Sequence, residues 1–289
     1  MAEPHVLFLI SINRLIPAVL LVYTSECARK RRGKRSLKLM IDWTSIKSVF
    51  FDLDNTLIDH TGAEERAFRH CFDECGFARG LYSFENLLEF YRKVNGELWS
   101  AYRRGEVTTD VVRRERFRRV LENQFEGTNY EFAPEHVSDV YLHAYDIASL
   151  PLDGAKEAIA LTKEHSGFIG VITNGFPRQV TRKLEHQGWT ATFDVVTISS
   201  LVGVAKPHPD VFRAALATRD HDPSQAVYIG DNYEADVMGA LGAQWKSVYV
   251  RNPHDSPPHL NDADLVIDTL ADLHVYLRSL TPYTRARNE

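Results

Sequence analysis

The sequence is poor in cysteine, in unbroken apolar runs and, over most of its length, in positive charge. Its 289 residues include three cysteines, which excludes a disulfide scaffold and favours a reduced, cytoplasmic setting. Cys71 and Cys75 lie one helical turn apart with no further cysteine nearby, so we expect them to be packing residues. The length, with 44% apolar residues, suffices for one large domain or two modest ones.

The charge is distributed unevenly along the chain. Residues 1–39 hold eight Lys or Arg against two Asp or Glu, whereas residues 40–289 carry a net charge of −11. Because phosphate backbones are bound by clustered cations, the acidic part argues against nucleic-acid binding as the main function.

The longest apolar run, residues 6–22, is a poor membrane span because Arg14 and Pro17 interrupt it. We therefore predict that residues 1–39 are an extension outside the folded protein, with translation starting at Met40. A weak membrane anchor and a disordered functional arm are the alternatives.

From residue 48 onward, short β-rich runs alternate with amphipathic stretches. The predicted strands are 48–54, 168–174, 193–199, 226–231, 247–250 and 264–267. The predicted helices between and after them are 154–165, 177–188, 208–219, 233–242 and 270–279. Most strands are almost continuously apolar, which is typical of strands buried on both faces. The pattern predicts an α/β fold with a doubly wound parallel sheet.

More than a hundred residues separate the first two strands, far more than a simple crossover needs. Helical patterns fill this interval, at 62–75, 83–103, 108–125 and 134–148. We therefore expect an all-helical cap domain over residues 61–150, inserted into an α/β core formed by residues 40–60 and 151–289. Such a cap can open and close over a site.

Seven polar residues lie at or near the ends of predicted strands. They are Asp52, Asp54, Thr173, Asn174, Lys206, Asp231 and Asp236. Each alone has an ordinary explanation as a turn residue, a helix cap or a solvated side chain. Together they are more specific, because the carboxyl ends of parallel strands meet at one edge of the sheet, where ligands of such folds bind.

Four carboxylates in one crevice repel each other strongly unless a cation joins them. Mg²⁺ prefers oxygen ligands and keeps water and substrate phosphate in its shell, whereas no Cys or His stands at a spacing suited to zinc. We therefore expect Mg²⁺ to be bound by Asp52, Asp54, Asp231 and Asp236, with Lys206 as a further cation.

The segments DLDNT at 52–56, TN at 173–174, KP at 206–207 and GDNYEAD at 230–236 together resemble the four motifs of the haloacid dehalogenase superfamily. Its members have a Rossmann-like core, and the resemblance includes the type of helical cap inserted just after the first strand. It covers about residues 46–280. Because Asp54 supplies the second aspartate, the resemblance implies a phosphatase rather than a dehalogenase.

The resemblance also implies a role for each motif residue. Asp52 attacks phosphorus to form an aspartyl-phosphate, and Asp54 protonates the leaving oxygen and then activates water. Thr173 and the backbone of Asn174 hold phosphate. Lys206 offsets negative charge, while Asp231, supported by Asp236, ligates Mg²⁺.

The substrate is less well defined by the sequence. Residues 90–117, 172–176 and 202–207 look like the corresponding segments of noncanonical pyrimidine 5′-nucleotidases, whereas FFDLDNTLID at 50–59 is similar to N-acylneuraminate-9-phosphatases. The first resemblance implies a pyrimidine nucleotide as substrate, the second a sugar phosphate. A catalytically silent protein that binds a phosphorylated ligand is a third possibility.

Two features of the cap are expected to be mainly structural. The aromatic stripe of 84–102 follows helical spacing and predicts core positions, with Trp99 off the stripe as the candidate for the substrate pocket. Five arginines between 113 and 119 are expected to form a solvated helix face. We expect a monomer or a homodimer.

Overall fold

The computed structural model describes residues 41–253, 255 and 257–285. The expectations for residues 1–39, including the alternative of an anchor at 6–22, lie outside these residues. Among the helices of the described segments, none has the length and apolar character needed to cross a membrane.

Six parallel strands form one sheet in the order β3-β2-β1-β4-β5-β6. The strands are β1 (Ser48–Phe51), β2 (Ile169–Thr173), β3 (Val195–Ile198), β4 (Ala226–Gly230), β5 (Lys246–Val250) and β6 (Leu265–Ile267). This is the strand order of a doubly wound α/β sheet, whose ligand crevice lies at the carboxyl edge where the strand order reverses. The predicted fold class is therefore confirmed.

The centre of the sheet is buried on both faces, as the apolar runs predict. On one face, Phe50 of β1 lies beside Gly170 of β2 and packs on Trp245, with ring centres 4.8 Å apart. A Cβ at Gly170 would lie 2.6 Å from the Phe50 ring. The absence of a side chain at position 170 thus makes room for the large ring at the centre of the sheet.

Six α-helices belong to the described part of the core, and all except the short one at Ser199–Val202 lie close to predicted helices. They are α5 (Ala155–Ser166), α6 (Pro177–His186), α7 (Ser199–Val202), α8 (Pro209–Leu216), α9 (Gly239–Gly242) and α10 (Leu270–Arg285). The prediction of one continuous helix at 233–242 is wrong for its first part. This segment begins with a π-helical turn, Tyr233–Met238, and π-turns of this kind are often found at functional sites.

Four α-helices lie between β1 and α5 and are called the cap below. They are α1 (His60–Glu74), α2 (Phe84–Arg103), α3 (Thr109–Gln124) and α4 (Pro134–Ala148). Side chains of Asp59, Ser83 and Thr108 accept hydrogen bonds from the first turns of α1, α2 and α3, which explains where these helices begin. The cap has its own buried cluster, which includes Cys71 and Cys75.

The two connections between the cap and the sheet run side by side. The amide of Asp59 donates to the carbonyl of Leu150 at 2.8 Å, and the amide of Leu152 donates to that of Leu57 at 2.9 Å. These contacts support the expected division into a core over 40–60 and 151–289 and a cap over 61–150, which stays a prediction.

The solvated arginine face predicted for α3 is wrong at Arg116, which is 3% exposed. Its guanidinium carbon lies 4.8 Å from the centre of the Tyr141 ring, and Nη1 lies 3.4 Å from the hydroxyl of Tyr91. Position 116 belongs to the same helical stripe as Val112 and Val120, both of which are buried. Periodicity therefore places this arginine on the inner face despite its charge.

Replacing Phe50 by Ala should destabilise the sheet without touching the polar edge. We expect the free energy of unfolding to fall by about 3–5 kcal/mol, because the change leaves a cavity between Gly170 and Trp245. Urea unfolding measures the difference. Leu201→Ala, at a site that is 73% exposed, is the control and should change little, so equal effects of the two substitutions would contradict the prediction.

Candidate active site

Three aspartates meet at the carboxyl edge of the sheet. Asp52 follows β1, whereas Asp231 and Asp236 follow β4, and each is at most 7% exposed. One ligand atom from each of the three carboxylates lies within 4.8 Å of the others. The parallel pairing of β1 with β4 accounts for this meeting, because both strands end at the same level.

Lys206 lies against this carboxylate group. Its Nζ donates to Asp52 Oδ1 at 2.6 Å, to Asp236 Oδ1 at 2.8 Å and to the Tyr228 hydroxyl at 2.7 Å. Its side chain is 3% exposed. Burial lowers the pKa of Lys206, but attraction to Asp236 and Asp52 outweighs burial and raises the pKa above its usual value. The ammonium is therefore a fixed positive charge in this crevice.

The π-helical turn after β4 aims Asp236 back at the strand. Asp236 Oδ2 accepts the amide of Asn232 at 2.9 Å, and a Cβ at Gly230 would lie 2.3 Å from the same oxygen. A glycine at the end of β4 is therefore needed for this carboxylate to approach the backbone. Asp231 and Asp236, five residues apart in sequence, therefore both face the crevice from the same side.

The carboxylates carry more negative charge than Lys206 neutralises. Burial raises the pKa of Asp52 to about 7, even though Lys206 opposes that shift. Burial also raises the pKa of Asp231 well above its usual value, with further contributions from Asp52 and Asp236. Such shifts mark a site in which ionised carboxylates lack a sufficient counter-charge.

A hard divalent cation fits this donor set. Asp52, Asp231 and Asp236 present only oxygen ligands, as Mg²⁺ prefers. The carboxylate of Asp54 is not part of this group, since it faces other partners described below. Asp231 is held in place by the Thr56 hydroxyl at 3.2 Å and the Asn252 amide at 2.6 Å. Hydrogen-bonded ligands of this kind are typical of metal sites.

The loop after β2 forms the adjacent wall. The Gly175 amide donates to Thr173 Oγ1 at 3.0 Å. Asn174 joins this loop to the next one, because its side chain accepts the amide of Lys206 at 3.0 Å and donates to the Lys206 carbonyl at 3.2 Å. The predicted phosphate-binding residues therefore lie beside Lys206.

Asp54 has a separate set of partners. Its Oδ1 accepts hydrogen bonds from Lys183 Nζ and, at 3.4 Å, from the Tyr145 hydroxyl. The Tyr145 hydroxyl also lies 2.5 Å from His60 Nδ1. Burial raises the pKa of Asp54, but Lys183 and then His60 attract its ionised form, so the net pKa is below its usual value.

A cavity of about 260 Å³ joins these groups. Trp99 and Arg103 of α2 line it together with all seven polar residues predicted from the strand ends. The Trp99 ring centre lies 5.4 Å from that of Phe176 in the core. Nearby, the Tyr102 hydroxyl lies 3.0 Å from Ser199 Oγ. The cap thus contacts the core along one side of the cavity.

Several residues at the site were not predicted from the sequence. Asn252 follows β5, so the same reasoning from strand ends could have found it. Tyr228 lies inside an apolar strand, while Lys183 and Tyr145 lie within amphipathic helices, where no local pattern distinguishes them from packing or surface residues. Arg103 lies in the last turn of α2, where a basic residue is ordinary.

The fold therefore places a group of buried carboxylates beside the loop that is predicted to bind phosphate. A family model described as haloacid dehalogenase-like hydrolase matches residues 46–244, and the chain belongs to this family. The predicted family and the predicted enzyme class, a hydrolase with the phosphatase set of motifs, are confirmed.

Among its relatives is the pyrimidine 5′-nucleotidase YjjG of Escherichia coli, which is 29% identical over 75% of this chain and 89% of its own. A glyceraldehyde 3-phosphate phosphatase of Pyrococcus abyssi is 28% identical over 71% of this chain and 82% of its own. The putative hydrolase YfnB of Bacillus subtilis, solved with bound magnesium, shares the fold with a TM-score of 0.70 and 22% identity, over 81% of this chain and 99% of its own.

The carboxylate group should make the cation-free protein less stable as pH rises. The folded protein keeps a proton on Asp52 up to about pH 7, whereas the unfolded chain releases it near 3.8. Because the folded state binds more protons in this window, this group contributes less stability as pH rises. Urea unfolding in EDTA should show a stronger decline for the wild type than for Asp52→Asn, and identical pH dependences would contradict the assignment.

Proposed function

We propose that this protein is a Mg²⁺-dependent phosphatase that hydrolyses pyrimidine nucleoside monophosphates through an aspartyl-phosphate. The observation that carries the proposal is the cavity in which Asp52 and Asp54, the loop of Thr173 and Asn174, and the cap side chain of Trp99 face one space. Such a cavity can hold a phosphate at the sheet edge and its organic group against the cap.

In the first step, a carboxylate oxygen of Asp52 attacks phosphorus, and the bond between phosphorus and the ester oxygen breaks. Asp54 gives its proton to the departing oxygen. Because the pKa of Asp54 is below its usual value in the free protein, this role requires Asp54 to take up a proton as the substrate binds, and the negative charge of the phosphate favours that uptake. A nucleophilic carboxylate replaces one difficult displacement with two easier ones.

In the second step, Asp54 takes a proton from water, whose oxygen attacks phosphorus, and the bond to Asp52 breaks. Free phosphate and the original Asp52 result. Lys206 and the backbone N–H of Asn174 stabilise negative charge on the phosphoryl oxygens throughout. Asp52, Asp231 and Asp236 would hold Mg²⁺, with Asp54 predicted as a further ligand, and the bound ion would supply positive charge beside the phosphate.

Two observations support a nucleotide as the substrate. The half-buried Trp99 presents an aromatic surface to the cavity, and Arg103 adds hydrogen-bond donors beside it. The similarity to YjjG extends over most of both chains. The similarity to the glyceraldehyde 3-phosphate phosphatase favours a sugar phosphate as the second candidate. A cytoplasmic location and a monomeric or homodimeric state stay predictions.

Phosphate release by the purified protein tests the proposal. With Mg²⁺, we expect the highest kcat/KM on UMP, dUMP or dTMP and lower values on purine nucleotides, sugar phosphates and N-acylneuraminate-9-phosphate. Asp52→Asn should abolish turnover. A preference for sugar phosphates would overturn the substrate while preserving the mechanism, whereas no metal-dependent turnover would favour a silent phospholigand-binding protein.

Trp99→Ala tests whether this ring contacts the base. We expect kcat/KM on pyrimidine nucleotides to fall at least about fivefold, because stacking of a base on an aromatic side chain contributes roughly 1–3 kcal/mol. Activity on ribose 5-phosphate, which has no base, should change much less. Trp99→Phe is the matched control and should retain most of the activity, so equal losses on both substrates would exclude stacking.

A further inference from the structure

The carboxylate of Asp54 is held by a buried lysine outside the predicted motifs. Lys183, on α6, donates to Asp54 Oδ1 and, at 2.9 Å, to the Tyr145 hydroxyl. Its side chain is 3% exposed. A buried ammonium needs a counter-charge, and here the carboxylate that meets this need is the one assigned to proton transfer.

Tyr145 brings the cap into the same cluster. Its hydroxyl donates to Asp54 Oδ1 at 3.4 Å and lies 2.5 Å from His60 Nδ1. The Lys183 ammonium also lies 4.6 Å from the centre of the Tyr145 ring, within the range of a cation–π interaction. Groups from a core helix and a cap helix therefore fix one carboxylate.

This cluster differs from an ordinary structural ion pair because one of its members, Asp54, lines the cavity. The Asp54 side chain is 26% exposed and lines the cavity, whereas Lys183 is not among the lining residues. Lys183 therefore acts on the reaction through the groups that it contacts, and of these Asp54 lines the cavity. By comparison, Lys163 also pairs with an aspartate, Asp194, but both side chains are at least 32% exposed and neither lines the cavity.

We infer that Lys183 is a positioning residue that, together with Tyr145, holds the Asp54 carboxylate where it can exchange a proton with the leaving oxygen. This inference rests on the proposed acid role of Asp54. When the bond between phosphorus and the ester oxygen breaks, an alkoxide needs that proton, whereas p-nitrophenolate departs without it. Misplacing Asp54 should therefore impair hydrolysis of alkyl phosphates more than that of aryl phosphates.

The test compares kcat/KM for the best nucleotide or sugar phosphate with kcat/KM for p-nitrophenyl phosphate. This parameter reports the steps up to departure of the leaving group, so the later hydrolysis of the aspartyl-phosphate does not enter. For Lys183→Met we expect a loss of about 100-fold on the alkyl ester, at the lower end of general-acid contributions. The loss on p-nitrophenyl phosphate should be at least tenfold smaller. Lys163→Met, the matched surface control, should change neither value.

Tyr145→Phe provides a second variant that keeps the ring and removes the hydroxyl. We expect the same selectivity with a smaller loss, and this variant decides the question if Lys183→Met does not fold by circular dichroism. Equal losses on both esters, or no loss, would overturn the inference. Asp54→Asn distinguishes the two ways in which the inference can fail. If Asp54→Asn loses equal activity on both esters, the proposed acid role of Asp54 is wrong. If Asp54→Asn loses more activity on the alkyl ester but Lys183→Met does not, only the positioning role of Lys183 is wrong.

Discussion

The concentration of negative charge at one edge of the sheet is the constraint on which the site depends. Asp52, Asp231 and Asp236 are almost fully buried and within ligand distance of one another, while Lys206 is the cation in direct contact with two of them. Such a group is costly in isolation, because burial and mutual repulsion both disfavour the ionised form. A divalent cation among these carboxylates would offset their repulsion, so the electrostatic cost of the free site would favour cation binding.

The parallel sheet makes this concentration possible. Strands β1, β2 and β4 are neighbours in the sheet. Asp52, Thr173 and Asp231 lie at or just after their carboxyl ends, so these residues are near each other in space although they are far apart in sequence. Backbone packing then sets the finer geometry. Gly230 leaves room for Asp236, and the side chain of Asn174 bonds the backbone of Lys206 on both sides. Contacts of the backbone thus fix the positions of the charged side chains.

Sequence reasoning succeeded where position along a strand determines position in space. The seven strand-end residues could be grouped because buried parallel strands end at a common edge, and the cap helices could be placed because their sequence has a helical pattern. It failed where a residue's role depends on which way a helix turns. Arg116 lies on a buried stripe, and the approach of Lys183 to Asp54 depends on how α6 packs beside the cap. Neither orientation follows from charge or residue type alone.

The same distinction explains why the reaction class is better determined than the substrate. Phosphoryl transfer depends on groups at the sheet edge, which the fold positions whatever the leaving group is. In the proposed function, the organic part of the substrate lies against α2, whose Trp99 and Arg103 line the cavity. This helix contacts the core through the packing of Trp99 on Phe176 and the contact of Tyr102 with Ser199. A change in these few cap contacts would reshape the outer wall of the cavity and leave the carboxylate group untouched. In this architecture, substrate preference can therefore vary while the mechanism stays fixed, because different elements of the chain carry the two properties.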